Sequence, residues 1–193
     1  MNAAAANRSM SDAAITADLL NADFFTLLGV TKTFDLDQRL LDERFRQLQR
    51  EVHPDRFAAA DEASRRASMM LATQINEAYQ TLSSPLRRAT YMLGLHGVDV
   101  GAESNTAMSP EFLMAQMEWR EQVADARAEK NMAALKQLET DIAHEMRSSY
   151  ATLGRALDAA TDAHDAIEAV RRLMFLEKLH EEIDNAIFDL EDL

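Results

Sequence analysis

The chain has 193 residues and a formal net charge of -13, which disfavours nonspecific binding to nucleic acid or to an anionic membrane surface. It contains no Cys, so disulfides and thiolate metal or cluster sites are excluded, and no apolar run nears the ~20 residues a bilayer span requires. With 5 Gly and 3 Pro beside abundant Ala, Leu, Met, Glu and Arg, the composition favours an all-α fold over a sandwich or barrel. The opening "MNAAAANRSMSDAAITAD" fits neither a secretory signal nor an Arg-rich transit peptide, and reads as a disordered extension, residues 1–18, on a cytoplasmic protein. "NADFFTLLGV" starts with the capping residues Asn21 and Asp23 and stops at Gly29, predicting a short helix. A second helix is predicted from about Asp35 to Val52, with Leu41, Phe45, Leu48 and Val52 on one face. A third is predicted from about Asp61 to Leu82, with Ala67, Leu71, Ile75, Ala78 and Leu82 in register. Two helices of similar length joined by a short loop should pack antiparallel.

The loop between them reads "HPDRF". Pro54 biases His53 away from helical geometry and Asp55 is able to cap the next turn, so a plain helix-stop turn is one reading. A general acid–base pair of His53 and Asp55 is another, but it needs a pocket and a partner. His96, His144, His164 and His180 are scattered, with no H-x-x-x-H or H-E-x-x-H spacing, so neither catalytic nor metal-ligating residues are assigned. A third reading makes the loop a recognition element. With the apolar face of the second helix inward, Arg39, Arg46 and Arg50 share the opposite face, and Glu43 is the one acid among them. That basic face on an acidic chain suits docking to an acidic partner, although an arginine face is often simply solvated.

"SSPLRRATYMLGLHG" predicts a short fourth helix with Pro85 in its first turn and Gly94 and Gly97 at its end. "GVDVGAESNTAMSP" comes next as a linker, residues 97–109. Three more helices are predicted to start near Pro110, Asn131 and Asp162. In the middle one, Leu135, Leu138, Ile142 and Met146 recur at helical spacing, whereas the apolar residues of the last spread over a broad face. The helix after Pro110 carries two apolar faces. Phe112, Trp119, Val123 and Ala126 suit a bundle core; Leu113, Met114 and Met117, with Glu121 beside them, lie well off it. Such a second face is either packed under a neighbouring helix or offered to a partner. No internal repeat and no Gly-rich phosphate loop is found.

A helical hairpin with His-Pro-Asp at its tip, a basic face on the helix before it and a short helix in front resembles a J domain. In that family the tripeptide and the preceding helix engage an ATPase chaperone of the DnaK type and stimulate its ATP hydrolysis. The resemblance assigns the trigger to His53, Pro54 and Asp55 and docking charges to Arg46 and Arg50, with Arg39 on the same face. Arg56 stands where many relatives have a lysine or arginine. The Gly/Phe-rich stretch and zinc module of many J proteins are absent. From about Asp23 onward the layout is instead similar to the HscB family, J-type co-chaperones of bacterial iron–sulfur cluster assembly. The resemblance implies a J domain at 19–96 and a C-terminal three-helix bundle at 110–193. It also implies two partners, an HscA-like chaperone and an IscU-like cluster scaffold, and no cofactor, metal, nucleic acid or membrane. It assigns scaffold binding to Leu113, Met114, Met117, Glu118 and Glu121, and to Phe175 on the last helix, a position the helical pattern alone does not put outside the core. A general J protein with a different client, or a small hydrolase using His53 and Asp55, are the rival readings.

Overall fold

Asp23 opens the first described helix for a simple reason: its Oδ1 accepts the Thr26 N–H at 2.9 Å, satisfying one of the donors a helix start leaves unpaired. The computed structural model describes residues 19–57, 60–100, 108–158 and 163–191. The predicted extension 1–18 and positions 101–107 of the predicted linker lie outside them. The elements are α1 (Phe24–Leu28), α2 (Gln38–Glu51), a 3-10 turn (Pro54–Phe57), α3 (Glu62–Ser83) and α4 (Pro85–Leu95). They continue with α5 (Pro110–Ala128), α6 (Met132–Asp158) and α7 (Ala163–Glu191). Among the described residues there is no strand, and no helix is long and apolar enough to cross a membrane. The chain divides between Arg88 and Ala89 into two compact units.

In the first unit, α1 ends at Gly29, whose φ of 65° is the left-handed conformation that glycine adopts without steric cost. Helix α2 starts later than its apolar pattern suggests, because Asp37 caps it by accepting the Arg39 and Leu40 N–H groups at 2.9 and 3.3 Å. Asp61 does the same for α3, accepting the Ser64 N–H at 2.7 Å. That bond holds the Asp61 carboxyl below its ordinary value of 3.8. Cross-links fix α2 and α3 antiparallel: Tyr79 donates to Asp42 at one end, and Ser68 Oγ donates to the Val52 carbonyl at the other. The bond to Asp42 raises the Tyr79 phenol above its ordinary range. Leu41, Val52, Leu71, Ile75, Ala78 and Leu82 are buried between the helices and α1, as their spacing predicts. Phe45, Leu48 and Ala67 are only half-buried; Phe45 stacks on Tyr79, ring centroids 4.0 Å apart.

The second unit holds the end of α4, from Ala89, and all of α5, α6 and α7. At 27 and 29 residues α6 and α7 are about 40 Å long at ~1.5 Å rise per residue. They run antiparallel, tied by Arg172–Glu145 at 3.1 Å and Lys136–Glu191 at 3.5 Å. Ser109 caps α5 and Pro110 occupies its first turn. Helix α5 closes in a Schellman turn, Asn131 N–H to Ala126 carbonyl at 2.8 Å and Lys130 N–H to Arg127 carbonyl at 3.2 Å, which places Lys130 at φ 52°. Val123, Leu138, Ile142, Leu176, Leu179 and Ile183 form a core cluster. Each fully buried Leu or Ile there contributes about 1.5–3 kcal/mol by removal from water.

Candidate protein-interaction sites

The loop between α2 and α3 is set by backbone chemistry. Ser68 Oγ, buried, holds the Val52 carbonyl at 2.8 Å, so α2 ends against α3 at a fixed point. The chain then turns through Pro54–Phe57, closed by the Arg56 N–H donating to the His53 carbonyl at 3.0 Å. The Arg56 guanidinium reaches back to the Arg50 carbonyl at 3.4 Å, satisfying an acceptor at the end of α2. His53 and Asp55 are left outside, their side chains 59% and 90% exposed.

Their geometry does not make an acid–base dyad. The Asp55 N–H donates to His53 Nδ1 at 3.3 Å, so in the neutral ring Nδ1 is an acceptor and the proton sits on Nε2. A carboxylate that orients a catalytic imidazole needs Nδ1–H aimed at it. Asp55 Oδ2 lies 3.6 Å from Nδ1, too far for a hydrogen bond. His53 instead borders an open groove along α2, lined by Glu43, Arg46, Gln47, Gln49, Arg50 and Arg56. Arg46 and Arg50 are exposed, and each Nε donates to a carbonyl one turn back at 3.1 Å, which lays both guanidiniums along the helix. Arg39 is exposed two turns earlier, ~10 Å along the axis from Arg46, and is not among the groove residues. The side chain of Pro54 is not described. Among the described residues no cluster of His, Asp and Glu is placed to hold a metal ion.

The second site is an apolar helix face. On α5, Phe112, Val123 and Ala126 are buried and Trp119 packs partly buried against the core, so the predicted inner face is the inner face. Leu113, Met114 and Met117 are 36%, 63% and 73% exposed, and Glu118 and Glu121 are exposed beside them. The alternative in which these apolar residues pack under a neighbouring helix is not what the second unit shows. Phe175 on α7 is half-buried: it meets Phe112 edge-on at 5.8 Å and stacks on Trp119 at 6.3 Å. Sequence reasoning missed Arg120, whose guanidinium lies over the Phe175 ring at 5.3 Å from the centroid. Only knowledge of which side of α5 faces α7 would have found it. Ser68, which anchors the loop, was missed as well, since one serine in a helix carries no signal of its bond.

A helical hairpin with a polar turn at its tip and a basic groove beside it defines a class, the J-domain co-chaperones. Residues 23–91 match the model of the DnaJ domain, and residues 108–184 match that of the HSCB C-terminal oligomerisation domain. The chain is 51% identical to the co-chaperone protein HscB homolog of Paraburkholderia xenovorans, covering 90% of this chain and 98% of that protein. It is 52% identical to the homolog of Burkholderia thailandensis over 89% and 98%. Among solved structures, the chaperone HscB from Vibrio cholerae superposes with a TM-score of 0.77 at 39% identity, covering 88% of this chain and 99% of that one. Human co-chaperone HscB gives 0.79 at 30% identity, covering 86% and 82%. This chain belongs to the HscB family of co-chaperones, which act with HscA in iron–sulfur cluster assembly and are not enzymes.

Proposed function

We propose that this chain delivers an IscU-like iron–sulfur scaffold to an HscA-like chaperone of the DnaK type and stimulates that chaperone's ATPase in the cytoplasm. Residues 19–96 serve as the trigger module, 97–109 as the connection and 110–193 as the cargo module. His53, Pro54 and Asp55 engage the ATPase, and Arg46, Arg50 and Arg56 supply positive charge along the groove, with Arg39 further up the same helix. Their effect is a coupling free energy that biases the chaperone between states. Leu113, Met114, Met117 and Phe175 receive the scaffold, and Glu118 and Glu121 form a polar rim.

The observation that carries the scaffold half is Met117, an apolar side chain 73% exposed beside Leu113 and Met114 on a helix whose other face is fully used by the core. Steady-state ATP hydrolysis by the chaperone, with this chain and the scaffold added singly and together, tests the whole. Synergy that disappears in His53→Gln supports one chain joining trigger and cargo. Stimulation indifferent to the scaffold would leave a J protein with another client, and a folded protein giving no stimulation would reduce the loop to a turn.

A further inference from the structure

The cargo face is rich in thioether. Met114 and Met117 are one turn apart on α5, 63% and 73% exposed, while Met92 and Met108 are each 7% exposed. The chain has 11 Met and no Cys, so thioethers are its only oxidisable sulfur. Leucine would supply similar apolar area at both positions; methionine adds a soft sulfur that solvent reaches.

We infer that Met114 and Met117 form an oxidation-sensitive modification site through which peroxide controls scaffold affinity. The inference rests on the scaffold reading of this face. The step is a two-electron oxygen transfer. The sulfur lone pair attacks one oxygen of hydrogen peroxide, the O–O bond breaks, and the sulfur keeps that oxygen as a sulfoxide. The other oxygen leaves as hydroxide and ends as water with the two peroxide protons, so sulfur is oxidised and peroxide reduced. In the free protein the sulfoxide oxygens face water at no cost to the fold. Against a partner they must be desolvated without a matching donor, which penalises docking alone. Met69 and Met70 on α3, 63% and 59% exposed, oxidise under the same conditions but lie outside the cargo face, and so provide an internal control.

The test uses the full chain, treated with hydrogen peroxide and peptide-mapped by mass spectrometry to confirm one added oxygen at each of Met114 and Met117. Calorimetric titration with the iron–sulfur scaffold protein should show affinity lower by roughly tenfold, with melting temperature and scaffold-free ATPase stimulation unchanged. Whatever affinity Met114→Leu with Met117→Leu has before treatment, peroxide should not change it, and Met69→Leu with Met70→Leu should lose affinity on treatment as the parent does. A methionine sulfoxide reductase should restore binding. Undiminished affinity of the oxidised chain, or an equal loss in the Met114→Leu, Met117→Leu variant, overturns the inference and leaves the scaffold reading standing. Failure of the untreated chain to bind scaffold removes both.

Discussion

The two candidate surfaces are built on opposite plans. The tip of the α2–α3 hairpin is a polar turn whose shape comes from bonds to main-chain carbonyls: Ser68 Oγ to the Val52 carbonyl, the Arg56 amide to the His53 carbonyl, and the Arg56 guanidinium to the Arg50 carbonyl. The α5 face is apolar, lies in the first turns of a regular helix, and owes its position to what the reverse of that helix buries. A polar tip presents direction and charge; an apolar face presents area. The first suits a switch that need not hold its partner, the second suits holding cargo.

Separability of the two is the sharpest test. His53→Gln should abolish ATPase stimulation while leaving scaffold affinity within experimental error, and Leu113→Ala with Met117→Ala should do the reverse, lowering scaffold affinity at least tenfold at about 1 kcal/mol or more per side chain. Calorimetry and steady-state ATPase assays on the same preparations read both. If each variant impaired both activities, the division of labour would be wrong.

A smaller effect probes the support of the tip. Ser68→Ala leaves the Val52 carbonyl without its buried donor and should cost about 1–2 kcal/mol in denaturant unfolding, with weaker stimulation and intact scaffold binding. Equal stimulation by this variant would mean that the tip does not depend on its anchor.

The same contrast explains how much was legible in the sequence. His53, Pro54 and Asp55 are adjacent in the chain, so the trigger could be read as a word. Leu113, Met114 and Met117 had to be separated from Phe112, Trp119 and Val123 by angle around one helix, which periodicity allows. Phe175 and Arg120 meet across two helices; the first was reached by resemblance and the second not at all, because their contact depends on how α5 and α7 are rotated against each other. Helix starts were placed within a few residues, the largest shift being at α2, where Asp37 and not Asp35 provides the cap. Neighbouring acids compete for that role, and only the bond made decides.

Two still smaller effects sharpen the comparison at the level of each unit. In the cargo unit, Lys130→Gly should raise stability by about 1 kcal/mol, since the left-handed φ of 52° strains any residue with a Cβ; differential scanning calorimetry would show the unit melting later. In the J unit, the folded carboxyl of Asp61 lies below 3.8, so its contribution is fully present above that pH and fades as acid protonates the folded form. Asp61→Asn should therefore flatten the acid limb of the thermal stability profile. An unchanged limb would show that other carboxylates control it.

The stacked pair of Trp119 and Phe175 has an optical consequence. Trp119 is the chain's sole indole, half-buried at the margin of the cargo face. Its emission responds to the polarity around the ring, and the J unit has no indole to compete with it. In a stopped-flow mixing experiment with a scaffold lacking tryptophan, cargo arrival would register as a fluorescence transient while engagement of His53 stayed dark. A phosphate sensor would mark ATP turnover on a separate channel. The native sequence thus carries a clock for asking whether cargo loads before the chaperone fires, with no label attached.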